Sequence, residues 1–161
     1  MNAADSKDKA ADHPGVIAPP PIIYGVGLVA GALIDLAQPL PLAADPTHWI
    51  VGVIFIALGL AVAISATGRF RRAGTSVQPH KPSTTIVTSG VYALSRNPIY
   101  LGLTALYVGL AFVANTWWAL ILLIPVILVM RRGVIAREER YLESKFGAAY
   151  TAYKARVRRW L

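Results

Sequence analysis

The residues best suited to chemistry lie in one segment, 74–102, between two long apolar stretches. It combines hydroxyl side chains, the tyrosines Tyr92 and Tyr100, and an Arg-Asn-Pro step that ends at Pro98. A proline suits the first turn of a helix, where its missing N–H costs nothing and the remaining free amides attract negative charge. The segment therefore predicts a site for an anionic group such as a carboxylate or a phosphate.

The adjacent acids Glu138 and Glu139 are the second candidate for chemistry. They belong to the stretch 137–160, where apolar residues recur at steps of three and four with charged residues between them. This pattern predicts amphipathic helix. Gly147 is expected to end one helix and start another. A basic helix of this kind is expected to lie on lipid phosphates at the inner leaflet. Because an anionic surface repels carboxylates, that position leaves the acid pair unexplained.

The distribution of basic residues orients the elements that hold these candidates. All 16 Lys and Arg residues lie in the N-terminal tail, in the segment 69–96, or from Arg131 onward. Lys and Arg in short loops mark the cytoplasmic side of a membrane protein. We therefore expect a multi-pass protein of the cell inner membrane with both termini in the cytosol. Both candidate segments fall on that side.

The composition indicates an integral membrane protein. Hydrophobic residues make up 55% of the chain and charged residues 15%, whereas soluble domains are about 25% charged. We predict an all-α fold of about four transmembrane helices, followed by cytosolic amphipathic helices. A single domain, 22–161, follows a disordered and dispensable tail, 1–21. The predicted spans are 22–40, 49–66, 99–114 and 116–132, and the predicted cofactor region is 74–102 with 134–160.

The last span leaves two alternatives open. Its apolar part, from Trp117 to Met130, rises only ~21 Å as a helix, less than the ~30 Å hydrocarbon core. Either the helix continues past Arg131 or the last two spans form a shallow hairpin. Asp35 is the one acid inside a predicted span, so a functional role is one interpretation. The favoured interpretation is a carboxylate without a functional role that reaches water near the outer interface.

Several classes of function and partner are disfavoured. The chain has no cysteine, which excludes disulfides, thiol catalysis and thiolate metal ligands, and we predict no metal site. The net charge is +8, and the basic residues flank apolar segments. Lipid headgroups are therefore the expected partner rather than nucleic acid. Gly25, Gly27 and Gly31 would allow close helix packing, which leaves a homodimer open.

The ordered motifs resemble the isoprenylcysteine carboxyl methyltransferase family, which belongs with the phospholipid methyltransferases. The resemblance covers roughly 74–160. It rests on Thr-Ser-Gly-Val-Tyr at 88–92, Arg-Asn-Pro-Ile-Tyr-Leu-Gly at 96–102, the Glu-Glu pair, and Phe-Gly at 146–147 with Tyr150 and Tyr153. It implies an integral membrane enzyme that takes a methyl group from S-adenosylmethionine.

The resemblance also implies which residues form the site. The implied cofactor contacts are Gln78, Thr84, Thr85, Ile86, Val87, Tyr92, Asn97, Pro98, Ile99, Tyr100, Glu138 and Glu139. The family pattern has His at the positions of Thr84 and Asn97, and an arginine before the acid pair where this chain is aliphatic. Arg131, Arg132 or Arg137 is left to supply that charge, and Arg132 joins Arg96 and Glu139 as the predicted catalytic residues.

The chemistry of the cofactor agrees with these residue types. Carboxylates of the acid pair suit ribose hydroxyls or a cation, Arg96 suits a carboxylate, and Tyr92 or Tyr100 can face adenine or the sulfonium. The resemblance implies carboxyl O-methylation of a lipophilic, isoprenylcysteine-like acceptor at the cytosolic membrane face. A phospholipid amine or a small thiol or acid is the alternative acceptor. A membrane scaffold or accessory subunit is the alternative without catalysis.

Overall fold

The computed structural model describes residues 13–75 and 83–161, and these residues form helices and connecting loops without a strand. This confirms the predicted all-α class. The helices run in the order α1 (Pro20–Ala37), α2 (Thr47–Arg72), a 3-10 turn (Gly90–Ala93), α3 (Pro98–Val113), α4 (Trp117–Val129), a π-helical segment (Met130–Ile135), α5 (Ala136–Phe146) and α6 (Ala148–Arg156).

Three helices of the described chain are long and apolar enough to cross a membrane: α1, α2 and the continuous helix Trp117–Phe146. The fourth, α3, is apolar but has only 16 residues. Of the two alternatives for the last span, the structure shows the continued helix. A helix needs about twenty residues to cross the hydrocarbon core. Counted from Trp117, this length ends at Ala136. The acids of α5 therefore lie beyond the membrane-spanning part.

Two of the predicted span ends that differ from the observed helix ends do so for identifiable reasons. α1 ends at Ala37, before the predicted 40, because Pro39 and Pro41 follow and neither can continue a helix. α2 continues six residues past the predicted end at 66, because Arg69, Arg71 and Arg72 complement the negative end of the helix dipole. This end of the bundle, with the arginines of α2 and the π-helical segment, is called the basic end below.

Glycines at two levels set the contact between α2 and α3. A Cβ added to Gly59 would meet the carbonyl oxygen of Gly102 at 2.7 Å, and one added to Gly102 would meet the oxygen of Gly59 at 2.8 Å. Gly52 and Gly109 repeat this arrangement, at 2.8 and 2.7 Å. Such small residues let two backbones approach closely, which favours packing between membrane helices. The contact holds the basic end of α2 beside the start of α3.

Polar side chains close the opposite end of the bundle. The Thr116 hydroxyl donates to Asp35 Oδ1 at 2.7 Å, and the same oxygen accepts from the Leu40 amide at 3.1 Å. Asn115, at φ +53°, makes the turn between α3 and α4, and its Oδ1 accepts from the amide of Leu42 at 3.0 Å. Asp35 thus has structural partners, as expected for a carboxylate near an interface.

The glycines of α1 pack within the chain. A Cβ on Gly27 would meet Val126 Cγ2 at 2.6 Å, and one on Gly31 would meet the Cα of Ala119 at 2.7 Å. Gly25 has nothing within 4 Å. Two of the three glycines considered for a homodimer therefore serve the contact between α1 and α4, and the homodimer stays a prediction.

The described part of the tail departs from the predicted disorder of 1–21. Val16 is buried in the core, the Ile17 amide donates to the Gly133 carbonyl at 3.3 Å, and Arg137 Nη1 donates to the Gly15 carbonyl at 2.7 Å. Residues 13–19 thus pack along the π-helical segment and α5. The physical reason is that Val16 buries apolar surface, which the proline-rich composition of the tail did not indicate.

Substituting Gly59 tests the glycine contact. We expect Gly59→Ala to destabilise the protein by about 1–3 kcal/mol, because the methyl group has no room against the Gly102 backbone. Gly68→Ala, on the same helix with nothing within 4 Å, is the matched control and should be neutral or slightly stabilising. Thermal unfolding in detergent measures both variants, and equal melting temperatures would contradict the packing argument.

Candidate functional site

A cavity opens at the basic end, where the end of α2, the segment 83–97, the start of α3, and helices α5 and α6 meet. Its empty space, counted together with the open solvent at its mouth, is about 820 Å³. Ten of the predicted site residues line it: Thr85, Ile86, Val87, Tyr92, Arg96, Asn97, Ile99, Tyr100, Glu138 and Glu139. Segments far apart in the sequence thus converge on one cavity.

Four predicted site residues are placed elsewhere or are not described. Thr84 lies at the base of the loop, where its amide donates to Thr75 Oγ1 at 3.0 Å and its hydroxyl to the Gly74 carbonyl at 3.3 Å. Pro98 is buried in the first turn of α3. Arg132 is exposed in the π-helical segment and does not line the cavity. Gln78 lies outside the described residues.

The loop that carries Tyr92 is held from two sides. Gly90 adopts φ +65°, and a Cβ there would meet the Arg69 guanidinium at 2.7 Å. The glycine therefore permits both the turn and the close approach of α2. The Tyr92 ring packs on the Phe70 ring, with 5.2 Å between the ring centroids. The backbone carbonyl of Tyr92 accepts from the Tyr153 hydroxyl at 2.7 Å.

Glu138 and Tyr100 form a hydrogen-bonded pair in the cavity. The Tyr100 hydroxyl donates to Glu138 Oε1 at 2.6 Å. Burial raises the pKa of Glu138 to about 7; the bond from Tyr100 lowers this pKa, and the charge of Glu139 raises it. A carboxyl that titrates near neutrality can bind a cation or accept a proton.

Glu139 is engaged by two arginines. Its Oε2 lies 2.5 Å from Arg159 Nη2, and its Oε1 accepts from Arg159 Nε at 3.1 Å. The same Oε1 lies 3.2 Å from Arg96 Nη1 as an ion pair. Glu139 is 5% exposed, so the two cations compensate for its loss of water.

Arg96 is the second unusual group at the cavity wall. Its side chain is 9% exposed, and its Nε and Nη1 atoms are buried without a hydrogen-bond partner. The ion pair with Glu139 is close enough for attraction but does not satisfy the geometry of a hydrogen bond. Buried N–H groups without an acceptor are rare and costly, so this guanidinium is suited to an anionic group of a ligand.

The π-helical segment sets the direction in which the acids point. It inserts between α4 and α5 five residues after Pro125, whose ring removes a backbone donor from α4. The wider turn changes the rotation of α5 relative to a regular helix, and such segments are often found at functional sites. Glu138 and Glu139 both line the cavity, although adjacent helical residues diverge by about 100°.

Several lining residues were missing from the sequence-based site. Phe70, Tyr141, Tyr150 and Tyr153 also line the cavity. Tyr150 and Tyr153 carried part of the resemblance, and their helical spacing of three placed both on one face. Burial is the main cause that raises the pKa of Tyr153 to about 12, so it stays a neutral donor. Arg159 has no local signal, because it sits among other basic residues of a segment that the sequence predicts to face lipid headgroups.

Comparison with known proteins extends this geometry. A model of the family described as phospholipid methyltransferase matches residues 47–149, from the start of α2 into α6. An uncharacterized protein from Haemophilus influenzae is 66% identical over 35 residues, which are 22% of this chain and 56% of that relative's length. No solved structure matches. Because the match includes both the loop before α3 and the acid pair of α5, the chain belongs to the phospholipid methyltransferase family of integral membrane methyltransferases.

Proposed function

We propose that the protein transfers a methyl group from S-adenosylmethionine to a lipophilic acceptor at the cytosolic face of the inner membrane. One cavity contains both Glu138 and Arg96, and the Nε and Nη1 atoms of Arg96 have no hydrogen-bond partner. This observation carries the proposal. A zwitterionic ligand that is also a sulfonium cation matches both groups. The family supports methyl transfer, and the basic residues around the cavity support the orientation.

The residues at the cavity fit the parts of this cofactor. We assign its amino-acid carboxylate to Arg96, whose buried N–H groups need an acceptor, and its cationic part to Glu138. The bond from Tyr100 uses Oε1 of Glu138, which leaves Oε2 for a ligand. The rings of Phe70 and Tyr92 provide apolar surface for adenine.

This chain's own residues contribute mainly by positioning. S-adenosylmethionine, when bound, supplies a methyl group that a nucleophile can displace directly. Alignment of nucleophile and methyl group accounts for much of the rate in such reactions. Tyr100 fixes the Glu138 carboxylate, Tyr153 fixes the loop of Tyr92, and Arg159 fixes Glu139. The site is thus braced by hydrogen bonds donated from α3, from α6 and from the segment after α6.

The first candidate acceptor is an isoprenylcysteine-like carboxylate, as the resemblance implies. A carboxylate needs no general base, since it is already a nucleophile at neutral pH. The cavity lies at the end of helices whose outer faces are apolar, including the exposed Val26 and Leu33 of α1. A lipid-linked acceptor is therefore expected to approach from the bilayer. In this version Arg132, on the exposed side of the π-helical segment, stays the predicted residue for the acceptor.

A lipid amine is the second candidate acceptor, and one observation favours it. Arg96 is the only Lys or Arg among the described residues that line the cavity, so no second cation is available there for an acidic acceptor. An amine must lose a proton, and Glu138 is able to take one near neutral pH. The family description, phospholipid methyltransferase, agrees with this acceptor class.

Cofactor binding tests the proposal. We expect purified protein in detergent to bind S-adenosylmethionine by calorimetry, and Glu138→Gln to weaken binding about tenfold or more through loss of a charge-assisted contact. Glu143→Gln is the matched control on the same helix, because Glu143 pairs with Lys154 away from the cavity. Folded wild-type protein that does not bind would refute the proposed function.

The pH dependence of binding tests the role of Glu138 separately. A bound cation lowers the pKa of this carboxyl from its value of about 7 in the free protein. Binding below pH 7 therefore releases a proton, and affinity should rise with pH, by at most about tenfold per unit, before it levels off above 7. Glu138→Gln should flatten this profile between pH 5.5 and 7.5. A profile unchanged by the substitution would show that another group titrates.

The acceptor is identified by the chemistry of the product. We expect transfer of a radiolabelled methyl group to a farnesylated cysteine derivative to yield a base-labile product, as methyl esters do. Vesicles containing phosphatidylethanolamine test the second candidate, whose methylated amine is stable to base. Transfer to neither acceptor, by protein that binds the cofactor, would leave the small thiol or acid class. Retention of transfer by Glu138→Ala would count against the assigned site.

A further inference from the structure

The last residues of the chain, 157–161, form a strap across the start of α3. The Arg158 carbonyl accepts from the Arg96 amide at 3.0 Å. The Arg159 carbonyl accepts from Asn97 Nδ2 at 2.9 Å and from the Ser95 hydroxyl at 3.3 Å. Trp160 packs against the hydrophobic core. The strap therefore fixes the backbone on both sides of Arg96.

The Arg159 side chain continues this contact toward α5. Its Nε and Nη2 engage Oε1 and Oε2 of Glu139, a fork that only a guanidinium can make. Glu139 is also the ion-pair partner of Arg96. Two cations and one carboxylate thus share one buried cluster, whose formal charge is positive.

Charge balance gives this cluster a function. If Glu139 had Arg96 as its sole partner, the carboxylate would be free to turn and engage the Arg96 N–H groups. Arg159 instead holds both carboxylate oxygens, and Arg96 keeps Nε and Nη1 without a hydrogen bond. Arg96 lines the cavity, so this remaining positive charge lies at its wall. It is suited to a carboxylate of a ligand.

We propose that Arg159 is a positioning residue, which occupies Glu139 so that Arg96 can receive the amino-acid carboxylate of the methyl donor. The inference rests on the proposed function and deepens it, because it names the residue that keeps Arg96 available for the carboxylate. Arg159 acts through Glu139 and Arg96. A purely structural role, which only ties down the end of the chain, would affect all ligands of the cavity alike.

Two ligands separate these roles. S-adenosylmethionine carries the carboxylate, whereas 5′-methylthioadenosine has the same adenosine part and lacks the amino-acid group. We expect Arg159→Met to weaken S-adenosylmethionine binding about tenfold or more, as for other charge-assisted contacts, and 5′-methylthioadenosine binding less than about threefold. Arg158→Met is the matched control, because that side chain is exposed and the substitution keeps its carbonyl.

A second variant keeps the test decisive if Arg159→Met unfolds. In the double variant Glu139→Gln/Arg159→Met, the neutral amide no longer competes for Arg96, and selectivity for S-adenosylmethionine over 5′-methylthioadenosine should return toward the wild-type ratio. Arg159→Lys should retain part of that ratio, since it keeps the charge without the fork.

The outcomes distinguish the two proposals. Three results would overturn the role of Arg159. Arg159→Met could weaken the binding of both ligands equally, or it could leave the affinity for both unchanged. The double variant could be as unselective as Arg159→Met alone. The proposed function would survive each of these results. Wild-type protein that binds neither ligand would overturn the proposed function itself.

Discussion

The structure of the site depends on one buried carboxylate. Removing Glu139 from water is costly, and an ion of this kind is tolerated only where cations and hydrogen bonds replace its hydration. Here the cations come from two distant segments, Arg96 before α3 and Arg159 after α6. Satisfying one charge therefore brings together the loop, α5 and the end of the chain. The cavity is the space that remains between these segments.

The membrane helices supply the second constraint, which is distance. At Gly59 and Gly102, and again at Gly52 and Gly109, the backbones of α2 and α3 approach so closely that a methyl group would not fit. This contact fixes the height of Phe70 and Arg69 relative to the first turn of α3. Arg69 then packs on Gly90, and Phe70 on Tyr92. Packing deep in the bundle thus determines the shape of a polar site at its end.

Much of this arrangement could be predicted from the sequence, for local reasons. Long apolar runs gave the helices, Pro98 gave the start of α3, and Gly147, at φ +51°, gave the break between α5 and α6. Ordered motifs gave the family and most residues of the cavity wall. The partners of Glu139 were beyond such reasoning, because Arg159 resembles the lysines and arginines around it. Its role depends on a contact across twenty residues, which no periodicity encodes.

The acid pair itself shows why residue type alone is not enough. Successive positions of a helix differ in direction by about 100°, so two adjacent glutamates point toward different surroundings. Glu138 meets the hydroxyl of Tyr100, whereas Glu139 meets two guanidinium groups. Because Glu139 is neutralised by cations, its charge is held in place, and because Glu138 has a neutral partner, its charge remains available. The rotation set by the π-helical segment turns both acids toward the cavity, where two identical side chains meet different partners.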